Sequence, residues 1–360
     1  MNSHNARRLI DEICSLAADL EKIRIMEVCG THTVSLFRSG IRTVLPANLR
    51  LVSGPGCPVC VTSQGYIDSA IEAAQRPDVT VCTYGDMLRV PGRQGSLEQQ
   101  RAGGARVIVC YSIRDGIAYA ATHPEEQVIF LAVGFETTAP ATALAVLEAD
   151  TRGLDNFTVL NGHKTVLPAL EFLLRGGDIP IDGFLLPGHV SVITGSHAFE
   201  EVAERYGKAC VVTGFEPVQM LRGILSLVRQ IAANEPRVDN VYSVAVTREG
   251  NRVALDRLEE VFEPADVVWR AIGRIAMSGY ALRPALRKFD AEKRFGLAVD
   301  EDYELPGCRC GEVIQGRIDP PECSLFGRAC TREHPVGPCM VSSEGTCAAW
   351  HRYALVERSR

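Results

Sequence analysis

The sequence predicts an α/β fold: two doubly wound parallel-sheet domains followed by a third, cysteine-rich C-terminal unit. Short runs rich in Val, Ile and Leu recur between Ile23 and Gly214, and amphipathic segments separate many of them. The runs are continuously apolar rather than alternating, as in strands that helices cover on both faces. After Leu305, Gly, Pro and Cys dominate and the periodicity stops.

The elements follow in order. The opening segment, MNSHNARRLIDEICSLAADLEKIR, carries acidic residues and no long apolar core, so it reads as an amphipathic helix rather than a signal peptide. Strands are predicted at Ile23–Val28, Leu49–Val52, Val79–Thr83, Arg106–Cys110, Val128–Val133, Phe157–Leu160, Gly183–Leu186 and Ala209–Val212. YIDSAIEAAQ, TTAPATALAVLEA and TVLPALEFLLRGG are helical patterns between them. Two sheets are favoured over one, with Ile117–Glu126 as the crossing point. That division gives domains at 1–122, 123–225 and 226–360. GFETTAP (134–140) and GFEP (214–217) each follow a strand and open a helix, a faint internal echo. A helix is predicted over Glu216–Ala233 and a β-run at VYSVAVT (241–247). The segment after Leu305 has little apolar core of its own, and a metal centre is the candidate organiser.

The chain has 360 residues, long enough for two or three domains. With 46% apolar and 23% charged residues, it supports ordinary globular cores. A net charge of −6 argues against nucleic acid or an anionic membrane as the main partner. The longest apolar runs, such as Val128–Val133, are too short to cross a bilayer, so a soluble cytoplasmic protein is expected. In a reducing cytosol, thirteen cysteines point to metal binding or redox chemistry rather than to a disulfide scaffold.

Three thiol groups stand out. Cys57-Pro-Val-Cys60 is a C-x-x-C, whose sulfurs meet across one turn as a disulfide or as half of a metal site. A zinc-ribbon partner pair is missing at the usual spacing, so redox or metal-exchanging chemistry is the preferred reading. A helix starting near Cys60 would favour a thiolate at Cys57 through its amides. Cys29, in MEVCGTHT, is either a small core residue or a working thiol at a strand's carboxyl end, where open α/β sheets bind ligands. His32 is placed to touch its sulfur. The tail holds Cys308, Cys310, Cys323, Cys330, Cys339 and Cys347, and four of these can hold a [4Fe-4S] cluster or a zinc ion. Their irregular gaps lean towards the cluster. Cys14, Cys110 and Cys210 read as core, and Cys82 lies late in a strand. Asp86, Glu136, His163, His189 and Glu216 fall at strand ends, as cleft residues or as caps. No Gly-rich phosphate loop is present.

Taken together, MEVCGTHT (26–33), GPGCPVC (54–60), TYGDMLRVPG (83–92), GFETTAP (134–140), PGHVSVITG (187–195), VVTGFEP (211–217) and CSLFGRACTREHPVGPCMVSSEGTCAAW (323–350) resemble the HypD family of [NiFe]-hydrogenase maturation proteins. The resemblance implies two Rossmann-like α/β domains and a C-terminal domain carrying a [4Fe-4S] cluster. It implies a role in building the Fe(CN)2CO unit with a HypC-type chaperone and with cyanide delivered by HypE, working with HypF. Cys29 matches the family's essential cysteine, and Cys57 and Cys60 its C-P-x-C pair, as iron-binding and thiol-redox positions backed by His32. Cys308, Cys323, Cys330 and Cys347 are assigned to the cluster, with Cys310 and Cys339 competing for the same roles. The rival reading is an iron–sulfur-driven thiol–disulfide oxidoreductase acting on another protein.

Overall fold

The computed structural model describes residues 3–177 and 179–354. Among these, nine parallel strands form two sheets, and an antiparallel hairpin stands apart. The first sheet has the order β2-β1-β7-β8-β9, with β1 Ile23–Glu27, β2 Leu49–Ser53, β7 Gly183–Pro187, β8 Ala209–Thr213 and β9 Val238–Asn240. The second has the order β4-β3-β5-β6, with β3 Val79–Thr83, β4 Val107–Val109, β5 Gln127–Gly134 and β6 Phe157–His163. Each of the eight predicted runs is therefore a strand, and the fold class is α/β with parallel sheets.

The predicted division of the chain does not follow the sheets. β1 and β2 pair with β7 and β8, whereas β3 to β6 form an uninterrupted block between them. A boundary at 122/123 cuts the second sheet, since the segment Ile117–Glu126 links β4 to β5 inside it. The chain instead crosses between sheets after β2 and again after β6. A cut at 225/226 falls inside the helix Pro217–Ala233, which packs on β8 and on the N-terminal helix Ser3–Ala17. Periodicity locates strands but carries no information about which strand pairs with which.

The predicted helices form close to their patterns: Gln64–Ala74, Ala139–Thr151 and Val166–Gly176. The last stops where Gly177 takes φ +66°, a left-handed conformation that glycine adopts without a Cβ penalty. VYSVAVT is not a strand. Its residues 241–247 form turns, and the short β9 precedes them. The hairpin β10 (Phe262–Trp269) and β11 (Gly273–Leu282) was not predicted. It bridges the second sheet at Lys164–Gly279 and the C-x-x-C region at Thr62–Trp269.

Both sheets are interior. Phe130 and Phe157 in the second, and Ile25 and Phe184 in the first, are fully buried. Such cores hold strand ends in fixed positions, which is what a site built from loops requires.

Candidate functional site

In each sheet the strand order reverses once, between β1 and β7 in the first and between β3 and β5 in the second. Ligands bind open α/β sheets at the carboxyl ends of strands beside such a reversal. Here the two reversals face one cleft of about 240 Å³. Val28 and Cys29 enter it after β1, Pro187 from the end of β7 and His189 from the helix Gly188–Thr194 that follows, Tyr84 after β3, and Gly134 and Phe135 at and just past the end of β5. Thr31 and Glu344 complete the wall that carries Cys29.

Cys29 is the N-cap residue of the helix Gly30–Arg38 and is buried. Burial, and then the nearby Glu344 carboxylate, push its thiol up to about 11, against main-chain N–H groups of Thr31 and His32 that favour the thiolate. The resting form is therefore a thiol, and a cation arriving in the cleft would have to displace its proton. The His32 ring does not face this sulfur. Its Nε2 lies 3.1 Å from the Gly214 carbonyl oxygen, and the ring stacks on Phe215 at 4.8 Å. Only the main chain of His32 reaches Cys29, which corrects the expected side-chain contact. Burial holds the ring down at about 4, so it is neutral.

His189 stacks on the same Phe215 at 3.8 Å, and it is the imidazole that lines the cleft. Below Cys29, Glu27 is buried and pairs with Arg42 at 2.5 Å while accepting from Ser53 (3.0 Å) and Thr33 (3.3 Å). It ties β1 to β2 and to the Cys29 helix. Sequence reasoning passed over it because a buried carboxylate cannot be told from a surface one without its partner.

Cys57 and Cys60 form a disulfide with Cα atoms 5.3 Å apart. The one-turn helix Pro58–Val61 starts after Cys57, whose sulfur accepts from the Cys60 amide at 3.2 Å. Neither sulfur lines the cleft. Gly56 and Pro58 do, and the disulfide lies behind them. Gly56 lies against the Cys29 loop: its carbonyl accepts from the Gly30 amide at 3.1 Å.

The tail wraps one small apolar-walled cavity lined by Cys308, Cys310, Cys323, Cys330, Cys339 and Cys347, with Leu325, Phe326 and Met340. The four cysteines assigned to a cluster thus come together, and the two competing ones with them. Cys310, Cys339 and Cys347 hydrogen-bond to one another, which holds the Cys347 thiol down at about 6 and pushes Cys339 well up. The Val336 amide donates to the Cys330 sulfur at 3.3 Å. Among the described residues no three His, Cys, Asp or Glu side chains are grouped to hold a single metal ion. Six convergent thiols with amide donors and an apolar wall are the donor chemistry that an iron–sulfur cluster uses.

The cavity and the disulfide are neighbours. The short helices Cys310–Ile314 and Pro338–Val341 pack on Pro58–Val61. Cys310 and Cys339 share one hydrophobic cluster with Cys57 and Cys60, and Cys308 and Cys347 pack on its edge.

The remaining candidates divide. Asp86 binds the turn at Ser342 and Ser343. Glu136 accepts from the Val166 amide at 2.9 Å, capping that helix. His163 is buried and bonded to Thr142 at 2.8 Å. Glu216 caps the helix Pro217–Ala233. Cys210 is core, and burial raises its thiol. Cys82 and Cys110 are buried neighbours that share a thiol hydrogen bond.

Known proteins match this sequence over nearly all of its length. The HypD family, described as the hydrogenase formation hypA family, matches residues 4–354. The chain belongs to the HypD family. It is 46% identical over 338 residues to the hydrogenase maturation factor HypD2 of Bradyrhizobium diazoefficiens, covering 92% of this chain and 89% of that one. It is 44% identical over 336 residues to the hydrogenase maturation factor HypD of Escherichia coli, covering 93% and 90%. The hydrogenase expression/formation protein HupD of Azotobacter chroococcum is 43% identical over 355 residues, covering 97% and 94%. This HypD-family chain is thus a hydrogenase maturation factor, and a role as a stand-alone oxidoreductase is not favoured. Among the described residues no helix is long and apolar enough to cross a membrane.

Proposed function

We propose that this HypD-family chain is the scaffold and electron relay on which the Fe(CN)2CO unit of [NiFe] hydrogenase is assembled. Cys29 holds the iron cargo, a HypC-type chaperone supplies a second thiolate, and a HypE-type donor, working with HypF, brings cyanide. The observation that carries this reading is the position of the Cys57–Cys60 disulfide. It lies between the cleft that Cys29 lines and the cavity of tail thiols, next to the first at Gly56 and joined to the second by the helices Cys310–Ile314 and Pro338–Val341, which pack on Pro58–Val61.

Thiolates suit low-spin iron because they are soft donors. Release of cyanide from a thiocyanate-like carrier takes two electrons and one proton, leaving a thiol and cyanide. The Cys57–Cys60 dithiol supplies both electrons on closing to the disulfide and releases two protons, one of which the carrier sulfur takes. Two electrons and two protons then restore the dithiol. A [4Fe-4S] cluster held by Cys308, Cys323, Cys330 and Cys347 would supply single electrons next to this pair. Phe135 and Val133 give the cleft an apolar wall.

The test is anaerobic co-purification with a HypC-type chaperone, followed by iron analysis and infrared spectroscopy. Bands from cyanide and carbon monoxide bound to iron are expected with the wild-type chain and not with Cys29→Ala. Bands of equal intensity in the variant would remove Cys29 from the scaffold.

A further inference from the structure

Asp86 takes no part in the thiol chemistry above and Glu344 enters it only as a charge near Cys29, yet together they fasten the tail to the Cys29 cleft. Asp86 lies in the short turn Gly85–Arg89 that follows β3. Its Oδ2 accepts from Ser342 Oγ (3.0 Å), Ser343 N (2.8 Å) and Ser343 Oγ (2.9 Å). Three donors on one carboxylate oxygen fix the turn tightly. The next residue, Glu344, reaches the cleft, where its Oε1 accepts from Thr31 Oγ1 in the first turn of the Cys29 helix. Gly30 can have no side chain there, because a Cβ would come 2.5 Å from both the Cβ and the carbonyl oxygen of Glu344. On the far side a Cβ at Gly345 would come 2.1 Å from the Cys339 carbonyl oxygen. The turn 342–345 is thus pinned to the second sheet, laid against the Cys29 helix and backed by a residue of the tail cavity.

We propose that Asp86 and Glu344 are positioning residues of the Cys29 cleft, and that through them the cleft closes around Cys29 only when the cysteine-rich tail is seated. This rests on Cys29 being the working thiol. The turn lies in the chain between Cys339 and Cys347, so an arrangement of the tail that moves those two cysteines moves Glu344. A tail with little regular structure of its own depends on its thiol cavity for its fold. The cleft then opens or closes with the condition of that cavity, and iron meets a completed site only on a chain whose tail is in order.

The rate of Cys29 alkylation by iodoacetamide in the anaerobic full-length protein, read at fixed pH by mass spectrometry of the Cys29 peptide, tests this. Glu344→Ala and Asp86→Ala are each expected to raise the rate several-fold. The double variant should be no faster than the faster single one, because both release the same turn. Glu344→Gln keeps the bulk and an acceptor for Thr31 but loses the charge that raises the Cys29 thiol, so its rate should rise clearly less than that of Glu344→Ala. Wild-type rates in Glu344→Ala, multiplied effects in the double variant, or a Glu344→Gln as fast as Glu344→Ala would each overturn the proposal. So would labelling of the buried Cys210 rising in parallel, which would mean general unfolding. Intact maturation in Cys29→Ala would sink the scaffold reading instead, whatever the alkylation rates show.

Discussion

Gly56 and Cys29 share one surface: a Cβ at position 56 would come 2.3 Å from the backbone nitrogen of Cys29. The loop that carries the disulfide and the loop that carries the lone thiol can lie this close only because residue 56 is glycine. The obstacle is main chain, which cannot swing aside as a flexible side chain can. Gly56→Ala is therefore expected to cost about 1–3 kcal/mol in stability and to abolish maturation. Gly85→Ala is the control, since its Cβ would meet only Val109 Cγ1 at 3.8 Å. Thermal unfolding of both variants checks the contrast.

Single replacements at Cys29, Cys57 and Cys60 by alanine should each leave the fold largely intact and abolish hydrogenase maturation. Cys57 and Cys60 are buried, so a modest packing cost accompanies their loss. Cys14 lies half-buried in the N-terminal helix and away from the cleft. Cys14→Ala should mature hydrogenase normally, with a stability change of about 1 kcal/mol or less. Hydrogenase activity in a complemented strain, beside circular dichroism of each variant, separates the two outcomes.

The tail cysteines allow a sharper contrast. Cys310 and Cys339 lie in the hydrophobic cluster of the disulfide, whereas Cys308 and Cys347 pack on its edge and Cys323 is partly exposed. Serine at 308, 323, 330 or 347 is expected to remove the brown colour of anaerobically purified protein, with iron and sulfide contents falling together. Serine at 310 or 339 is expected to retain both. Colour lost from Cys339→Ser but kept in Cys347→Ser would exchange those two assignments.

The thiol of Cys29, raised to about 11, predicts a steep pH dependence. Below that value the thiolate fraction, and with it the alkylation rate, rises about tenfold per pH unit. The rate should still be climbing at pH 10, where an ordinary exposed cysteine has levelled off. The same burial makes stability depend on pH. A thiol raised in the folded state favours folding fully below the usual cysteine range, and that contribution is lost as pH rises through about 11. A plateau near pH 9 would show that the sulfur is not buried in solution.

Much of this architecture was legible as local pattern. All eight predicted runs are strands, and those buried along their whole length, such as β3, β7 and β8, leave a continuous apolar signature. Cys29, Cys57 and the tail cysteines stand out by residue type, whatever the pairing. What could not be read is everything that depends on long-range partners. Glu344 meets Thr31 across 313 positions, and nothing local marks it as a cleft residue. The block β3–β6 inserted between β2 and β7 escaped for the same reason. The His32 ring turned away because the Gly214 carbonyl and Phe215, both from the loop after β8, offered it a buried acceptor and a stacking face. The hairpin β10–β11 hid because its strands are half-exposed and carry Pro264 and Gly279, which weaken a strand signal.

Glu136 gives a pH test independent of the thiols. Its carboxyl is buried, Oε1 accepts from the Val166 amide, and Oε2 has no partner. Burial raises it from the ordinary 4.5 to about 7, against the Val166 hydrogen bond. Between those values the folded state holds the proton that the unfolded state releases, so stability falls as pH rises through the window. The full loss, reached above pH 7, is roughly 3 kcal/mol at one pKa unit per 1.36 kcal/mol. Glu136→Gln keeps an oxygen for the Val166 amide and cannot ionise. Its stability should therefore hold level where the wild type declines, and the gap in unfolding free energy should widen in favour of the variant between pH 5 and pH 8. Denaturant unfolding at the two pH values measures that gap, and parallel profiles would mean that the carboxylate finds water or a cation in solution.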